Sequence, residues 1–402
     1  MSSKRVVITG VGIISALGLG KESLFNALLK GKTAFSSHSF FLDGMPTLPP
    51  YYGAYIEDFS AADFLGKKGI RRLSREVKIF LSAAVMARED ADLNANDCIS
   101  KDIGVVASTT FAGLDDYTQL FVDGLTCGVD LINPSQTSQT GFNAPASELA
   151  IYLGTQGVNI TLNSLSGLDS LAYAAEYIRK QYAKVIFAGG IETLSWFTAY
   201  SRMSTSQSYR DELPPQPFDL RRKRPVLGEA GVVFVLEDYE YAHSRGARII
   251  AEISGYGCAF NANLPISNLQ RASTRAIAQS LNECSIDSTE IEAIFASGNG
   301  HPITDACEAE ALYHMFGKCL PVHSCKGVTG ENIGAGGIVQ ATAALLSLET
   351  GVIPQTTGFS NPDPELPSLN IVQEPTQKKL QRVLINSLNN DGQAAALVIS
   401  KV

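Results

Sequence analysis

The features that would mark a specialised chain are scarce in this sequence. Its seven cysteines (98, 127, 258, 284, 307, 319 and 325) are odd in number and scattered, with no pair at the close spacing of structural zinc sites. That excludes a disulfide framework and a zinc centre as organising elements, and neither a metal nor a cofactor is expected. Basic runs are also nearly absent. Arg221, Arg222, Lys223 and Arg224 form the one short cluster, which reads as a solvated loop, and the formal charge is −8 with a pI near 5.3. Phosphate binding needs a positive surface, so no nucleic-acid partner is expected. No uninterrupted apolar run of about 18 residues occurs, and the start, Met1-Ser2-Ser3-Lys4 leading into Arg5-Val6-Val7-Ile8, lacks the apolar core and cleavage site of a signal peptide. The expectation is a cytoplasmic protein with no membrane partner.

What is present is a pattern. The chain has 402 residues, 45% hydrophobic and 18% charged, enough to bury one large core or two closely joined ones. Short apolar runs predict strands at Val6–Ile8, Ile103–Ala107, Val158–Leu162, Val185–Ala188, Val232–Leu236, Ala293–Phe295 and Ala395–Ile399. Between them, apolar spacing predicts helices over Glu22–Leu29, Ser74–Asp90, Ala144–Leu153, Leu168–Gln181, Ser273–Glu283 and Asp305–Phe316. Strands joined by crossover helices make an α/β protein. A polar, Asn- and Pro-containing stretch, Asn261–Gln270, reads as a linker between two comparable halves. The strand, helix and strand around Ser164 to Val185 are loosely echoed after Ala293.

Six stretches then carry a resemblance: Val7–Gly12 (VITGVG), Val185–Glu192 (VIFAGGIE), Pro217-Phe218-Asp219, Val226–Glu237 (VLGEAGVVFVLE), Ala251–Gly257 (AEISGYG) and Lys326–Gly337 (KGVTGENIGAGG). In that order, across nearly the full chain, they resemble the β-ketoacyl synthases, thiolase-fold condensing enzymes of fatty acid and polyketide synthesis. The resemblance implies an α/β fold of two duplicated βαβαβ halves in five layers. Residues 1–255 would form the N-terminal half, with interface and cap insertions, and residues 256–402 the C-terminal half. It also implies a nucleophile at the start of a buried helix, where amide groups and the helix dipole favour an anion, and two imidazoles that promote malonyl decarboxylation and stabilise the enolate.

This chain departs from the family at each reactive position. The segment matching the family's Thr-Ala-Cys-x-Ser-Gly is Leu162-Asn163-Ser164-Leu165-Ser166-Gly167, so Ser164 stands in place of the cysteine. Ser297, opening Ser297-Gly298-Asn299-Gly300-His301-Pro302, replaces the first histidine, and Glu331, after Thr329-Gly330, replaces the second. Where the family has a Gly-Phe-Gly-Gly gate loop, Asn386-Ser387 is followed by Leu388-Asn389-Asn390-Asp391-Gly392. By the same resemblance Asp305 and Glu308 occupy the positions of an acidic pair, and Lys326 is the lysine that pairs with such a carboxylate.

Two main readings follow. In the first, Ser164, Ser297 and Glu331 fill a redundant pocket. A hydroxyl is inert without an adjacent base, and a carboxylate at 331 repels a malonyl carboxylate and an enolate alike. The protein would then resemble a chain length factor, a non-catalytic subunit that pairs with an active ketosynthase and shapes its acyl tunnel, meeting acyl carrier protein through that partner. In the second, Ser164 is the nucleophile of an acyltransferase or hydrolase with Glu331 or the displaced His301 as base, although the Gly-x-Ser-x-Gly elbow is absent. A stand-alone acyl-binding or scaffold protein is a third class. Ser108–Leu120 matches the family segment that crosses the dimer interface. There Phe111, Leu114 and Tyr117 fall at helical spacing as candidate tunnel residues, Phe111 foremost, while Leu114 and Tyr117 fit the core of this subunit equally well.

Overall fold

The computed structural model describes residues 4–93, 100–205, 212–261 and 266–402. The first half runs through β1 (Val6–Ser15), β2 (Gly18–Leu19), α1 (Lys21–Lys30), β3 (Phe35–His38), β4 (Tyr51–Ala54), α2 (Ala62–Leu65), α3 (Arg75–Asp90), β5 (Ile103–Thr109), α4 (Leu114–Cys127), α5 (Ala144–Leu153), β6 (Asn159–Asn163), α6 (Leu168–Arg179), β7 (Val185–Glu192), α7 (Trp196–Thr205), β8 (Ala230–Asp238) and α8 (Tyr239–Ser244). The second runs through β9 (Ala251–Phe260), α9 (Ile266–Glu283), β10 (Ala293–Phe295), α10 (Pro302–Phe316), β11 (Pro321–His323), α11 (Lys326–Thr329), α12 (Gly336–Thr350), β12 (Val352–Ile353), β13 (Asn370–Ile371), β14 (Thr376–Gln377), β15 (Arg382–Leu388) and β16 (Gln393–Ser400).

The main sheet has the order β13-β11-β10-β15-β16-β9-β1-β8-β7-β5-β6, with β2 paired to β1. Its two halves repeat one pattern. In the first, β1, β8 and β7 pair antiparallel, then β5 and β6 continue parallel; in the second, β9, β16 and β15 pair antiparallel, then β10 and β11 continue parallel. The echo read from the sequence is therefore a duplication of topology. The halves join through a short seam between β1 and β9, Val7 opposite Glu252 and Ile8 opposite Ala251. Strand β9 runs across residues 255 and 256, the junction between the two expected halves.

Burial explains the layers. β1 and β8 are buried along their whole length, as strands covered on both faces must be. One core packs α3 and α5 against the outer face of the first half, and another packs α9 and α10 against the outer face of the second. Between the halves lies a third core built from α6 and α12. Layered helix, sheet, helix, sheet, helix, this is the five-layered thiolase fold. Tight contact at β1 depends on glycine: a Cβ on Gly12 would lie 2.0 Å from the Ala83 carbonyl oxygen of α3. Helix α12 is buried from Gly336 to Leu348, and truncating a leucine there, such as Leu345, is expected to cost about 2–5 kcal/mol.

One sequence expectation is corrected here. Residues 266–270, read as part of a linker, are the first turns of α9; residues 262–265 lie outside the described residues. Within α9 the polar Asn268 and Gln270 are half-buried on either side of the buried Leu269.

Candidate functional site

The duplicated topology sets the two central helices start to start. β6 ends at Asn163, a four-residue turn follows, and α6 begins at Leu168; in the second half α11 and a short helical turn lead into α12. The Gly337 amide donates to the Ser166 carbonyl at 2.6 Å. Gly167, at φ 78°, has no room for a side chain, because a Cβ would lie 2.5 Å from the Gly334 carbonyl oxygen. The β10–α10 loop and the β15–β16 hairpin close the remaining sides. Ser297 Oγ donates to the Leu388 carbonyl at 3.4 Å, and Gln393 Nε2 donates to Ser164 Oγ at 3.3 Å. One hairpin thus touches both altered positions.

Ser164 is buried, and its hydroxyl is saturated. Oγ donates to Asp169 Oδ2 and accepts from the Ser166 amide at 3.2 Å, the Gly167 amide at 3.3 Å and Gln393 Nε2. A hydroxyl has one proton and two lone pairs, so the donated bond and the three accepted contacts already occupy its full capacity, the accepted ones shared at 3.2–3.3 Å. Asp169, the carboxylate touching it, accepts also from the Tyr256 hydroxyl and from Gln393 Nε2 at 2.9 Å. Burial, with the neighbouring Asp169 second, raises the Tyr256 phenol above its ordinary value, which keeps it a donor. Neither Glu331 nor His301 hydrogen-bonds to Ser164 Oγ.

The positions of the two family histidines are bridged by a lysine. Lys326 Nζ donates to Ser297 Oγ at 3.0 Å and to Glu331 Oε2 at 2.7 Å. Glu331 also accepts from Asn299 Nδ2 at 2.7 Å and from the Ile333 amide at 3.1 Å. This corrects the expected pairing: Lys326 forms its ion pair with Glu331, not with the acidic pair of α10. Glu331 lies within ion-pair distance of Nζ, while Glu308 feels the Lys326 charge only at longer range. Glu308 instead accepts from the Ser297 amide at 2.8 Å and from Asn386 Nδ2 at 2.6 Å, and burial pushes its carboxyl up to about 7. Asp305 accepts three amides, those of Phe218, Asn299 and Gly300, and burial pushes it up to about 6.

At the mouth is a cavity of about 50 Å³, lined by Leu165, Arg202, His301, Thr304, Glu331 and Asn389 among others. That is room for a water molecule or two. Asn390 also lines it, whereas Asp391 turns back to accept the Gln393 amide within the hairpin at 3.0 Å. His301 does reach this cavity, but as the N-cap of α10, with Nδ1 accepting from the Thr304 amide; burial, then Arg202, lowers its pKa and keeps it neutral. Among the described residues no group of three or more His, Cys, Asp or Glu is placed to hold a metal ion, and no helix is long and apolar enough to cross a membrane.

The tunnel candidates separate. Phe111 precedes α4 and is half-buried against the cluster around Tyr51, Leu194 and Ile333, with its ring 6.5 Å from that of Phe197. Leu114 opens α4, which buries none of its residues, and Tyr117 is 54% exposed, so the alternative that these two are core residues of this subunit is corrected. Sequence reasoning missed the group that sets Phe111: Glu192, buried at the end of β7, accepts the amides of Thr110 (2.9 Å), Phe111 (3.0 Å) and Gly334 (3.2 Å), and burial pushes it up to about 7. A charged residue closing the apolar run of VIFAGGIE was the available signal. Asp169 and Gln393 were missed as well, the first being a lone acid in an otherwise apolar helix start. The basic cluster is engaged internally: Arg221 pairs with Asp219 and Arg222 with Asp363.

With fold and site in view, the chain belongs to the β-ketoacyl synthase family. Residues 3–242 match the family's N-terminal domain and residues 250–360 its C-terminal domain. It is 28% identical to 3-oxoacyl-[acyl-carrier-protein] synthase 2 of Vibrio harveyi, over 100% of both chains. Among solved structures it is similar to the ishigamide ketosynthase/chain length factor, with a TM-score of 0.89 and 26% identity over 100% of both chains. It is also similar to the AntDE:AntF assembly, described as a type II PKS acyl-carrier protein in complex with its ketosynthase bound to the hexaketide, with a TM-score of 0.82 and 25% identity over 100% of both chains.

Proposed function

We propose that this chain is a chain length factor: a non-catalytic subunit that pairs with an active ketosynthase and shapes the acyl tunnel in polyketide, polyene or specialised fatty acid synthesis. The observation that carries this reading is the closed hydrogen-bond network at the reactive positions. Ser164, Ser297 and Glu331 each satisfy a structural partner, and the adjoining cavity is too small for an acyl chain. Condensation needs a thiolate and groups that stabilise an enolate, and this site offers a saturated hydroxyl and an ion pair.

The surface supports a partner chain. Among the described residues β6 is the last strand of the sheet and leaves one edge without a neighbour, and α4 exposes Tyr117, Phe121 and Leu125 on successive turns, with Val129 beyond. An unpaired strand edge and an exposed apolar helix face are each templates for association. Likeness to a ketosynthase/chain length factor structure favours an active ketosynthase as that partner, with acyl carrier protein delivered through it. The division into halves 1–255 and 256–402 belongs to the same reading.

Co-expression with the intact synthase of its pathway is expected to give a stable one-to-one complex, and Phe111→Ala to lengthen the product while turnover continues. If the two proteins do not co-purify, and the synthase alone makes the same products at the same rate, the reading is wrong.

A further inference from the structure

The network around Ser164 contains a residue that the loss of the thiol does not require. Gln393 is the first residue of β16, and its side chain turns inward onto the Ser164 turn. Its Oε1 accepts the Leu165 amide at 3.3 Å, while Nε2 donates to Asp169 Oδ2 at 2.9 Å and to Ser164 Oγ at 3.3 Å. The backbone that aims it is fixed from two directions. Gln393 pairs with Phe260 of β9, and its carbonyl accepts the Asn389 amide at 2.9 Å. Next to it Gly392, at φ 101°, bonds through its carbonyl to the Asn261 amide at 3.1 Å, and a Cβ there would lie 2.1 Å from the Asn261 carbonyl oxygen.

We propose that Gln393 is a positioning residue that seals the old nucleophile turn, tying it to the β15–β16 hairpin so that residue 164 is closed to an acyl group whatever side chain it carries. An acyl group arriving at residue 164 would have to displace an amide that makes three hydrogen bonds, one of them to a buried carboxylate, and such charge-assisted bonds are the stronger kind. Withdrawing the amide strips a donor from Asp169 at 8% exposure and frees the Leu165 amide at once. The turn and the hairpin therefore open together or not at all. This deepens the non-catalytic reading, since the site is closed by shape as well as silenced by chemistry.

The test uses the full-length chain, alone and in complex with its synthase, and reads access at residue 164, which does not depend on whether the complex is productive. Ser164→Cys serves as the reporter, alkylated with iodoacetamide across a pH series and followed by peptide mass spectrometry. The rate plateau above the thiol's ionisation reports access, which separates it from the effect of Asp169 on the thiol pKa. Cys127, Cys258 and Cys319, all exposed, and the buried Cys325 are internal references. With Gln393 present, the introduced thiol is expected to label as slowly as Cys325. In Ser164→Cys/Gln393→Ala the plateau should rise roughly tenfold or more, the scale of one net hydrogen bond. Gln393→Asn, which keeps the amide but falls one methylene short, should act in the same direction should the alanine variant fold poorly. In the otherwise native chain, hydrogen exchange at Leu165 to Gly167 should speed up with either substitution. Labelling of the introduced thiol as fast as the exposed cysteines while Gln393 is intact would overturn the proposal, as would plateau and exchange rates that ignore residue 393.

Discussion

Removing Glu331 by Glu331→Ala tests whether the site is held as an ion-paired network. The Lys326 and Glu331 side chains are 3% and 9% exposed, and Nζ has two partners, Glu331 Oε2 and Ser297 Oγ. Without the carboxylate the ammonium keeps a single neutral acceptor in a buried site, and the Asn299 side chain and Ile333 amide lose theirs. Breaking a buried pair in this way costs about 3–5 kcal/mol. The low end applies if Lys326 swings to Glu308. Replacing both charges, by Lys326→Met with Glu331→Leu, should restore most of the loss, because two apolar groups leave no unpaired charge. Glu331→His, the residue usual in the family, should destabilise too, since an imidazole replaces the paired carboxylate and leaves the ammonium only the longer-range charge of Glu308. Urea unfolding of wild type, Lys326→Met, Glu331→Leu and the double variant, read as a double-mutant cycle with two spectroscopic probes, gives the coupling, with Glu331→Ala and Glu331→His measured beside them. A loss below about 1 kcal/mol for Glu331→Ala, or a double variant as unstable as the single, would refute the reasoning.

Two further predictions use other parts of the network. Ser164→Ala takes one donor from Asp169 and should cost about 1–2 kcal/mol, while the product made by the co-expressed pair stays the same; mass spectrometry after incubation with acyl thioesters should find no acyl adduct on native Ser164, and a stable adduct abolished by the alanine change would contradict this. Glu192 titrates higher in the folded chain, about 7 against an ordinary 4.5, so its contribution to stability is full below about pH 4.5 and lost as pH rises through about 7. Relative to wild type, Glu192→Gln should therefore gain stability with rising pH across that window, by at most about 1.4 kcal/mol per pH unit, and a pH-independent difference between the two in denaturant unfolding would show that Glu192 is ionised throughout.

The sequence and the structure agree best where one physical signal dominates. The strand expected at Val185–Ala188 shows as an unbroken apolar run because β7 is covered on both faces, although β7 continues to Glu192, and α5 has the bounds that apolar spacing gives it. Helix α12 gives no such signal: buried all round, it has no polar face and hence no helical period. The substituted positions 164, 297 and 331 could be found by register against family motifs, but their partners could not. Lys326 choosing Glu331 over Glu308, and Gln393 reaching Ser164 from 229 residues away, depend on which loops the duplicated sheets bring together. Pattern along the chain carries no such information.

The duplication has a consequence for substitution as well as for architecture. Because β6–α6 of one half and β11–α12 of the other meet at the same point, each copy brings its own network there, Asp169 with Ser164 and Lys326 with Glu331, and Gln393 ties the first to the second half. Changing any one of these side chains alters the partners of another, and interactions that share partners do not add. Substitutions at these positions are therefore expected to be coupled rather than independent. The site behaves as one linked unit, and the exposed face of α4 lies outside it.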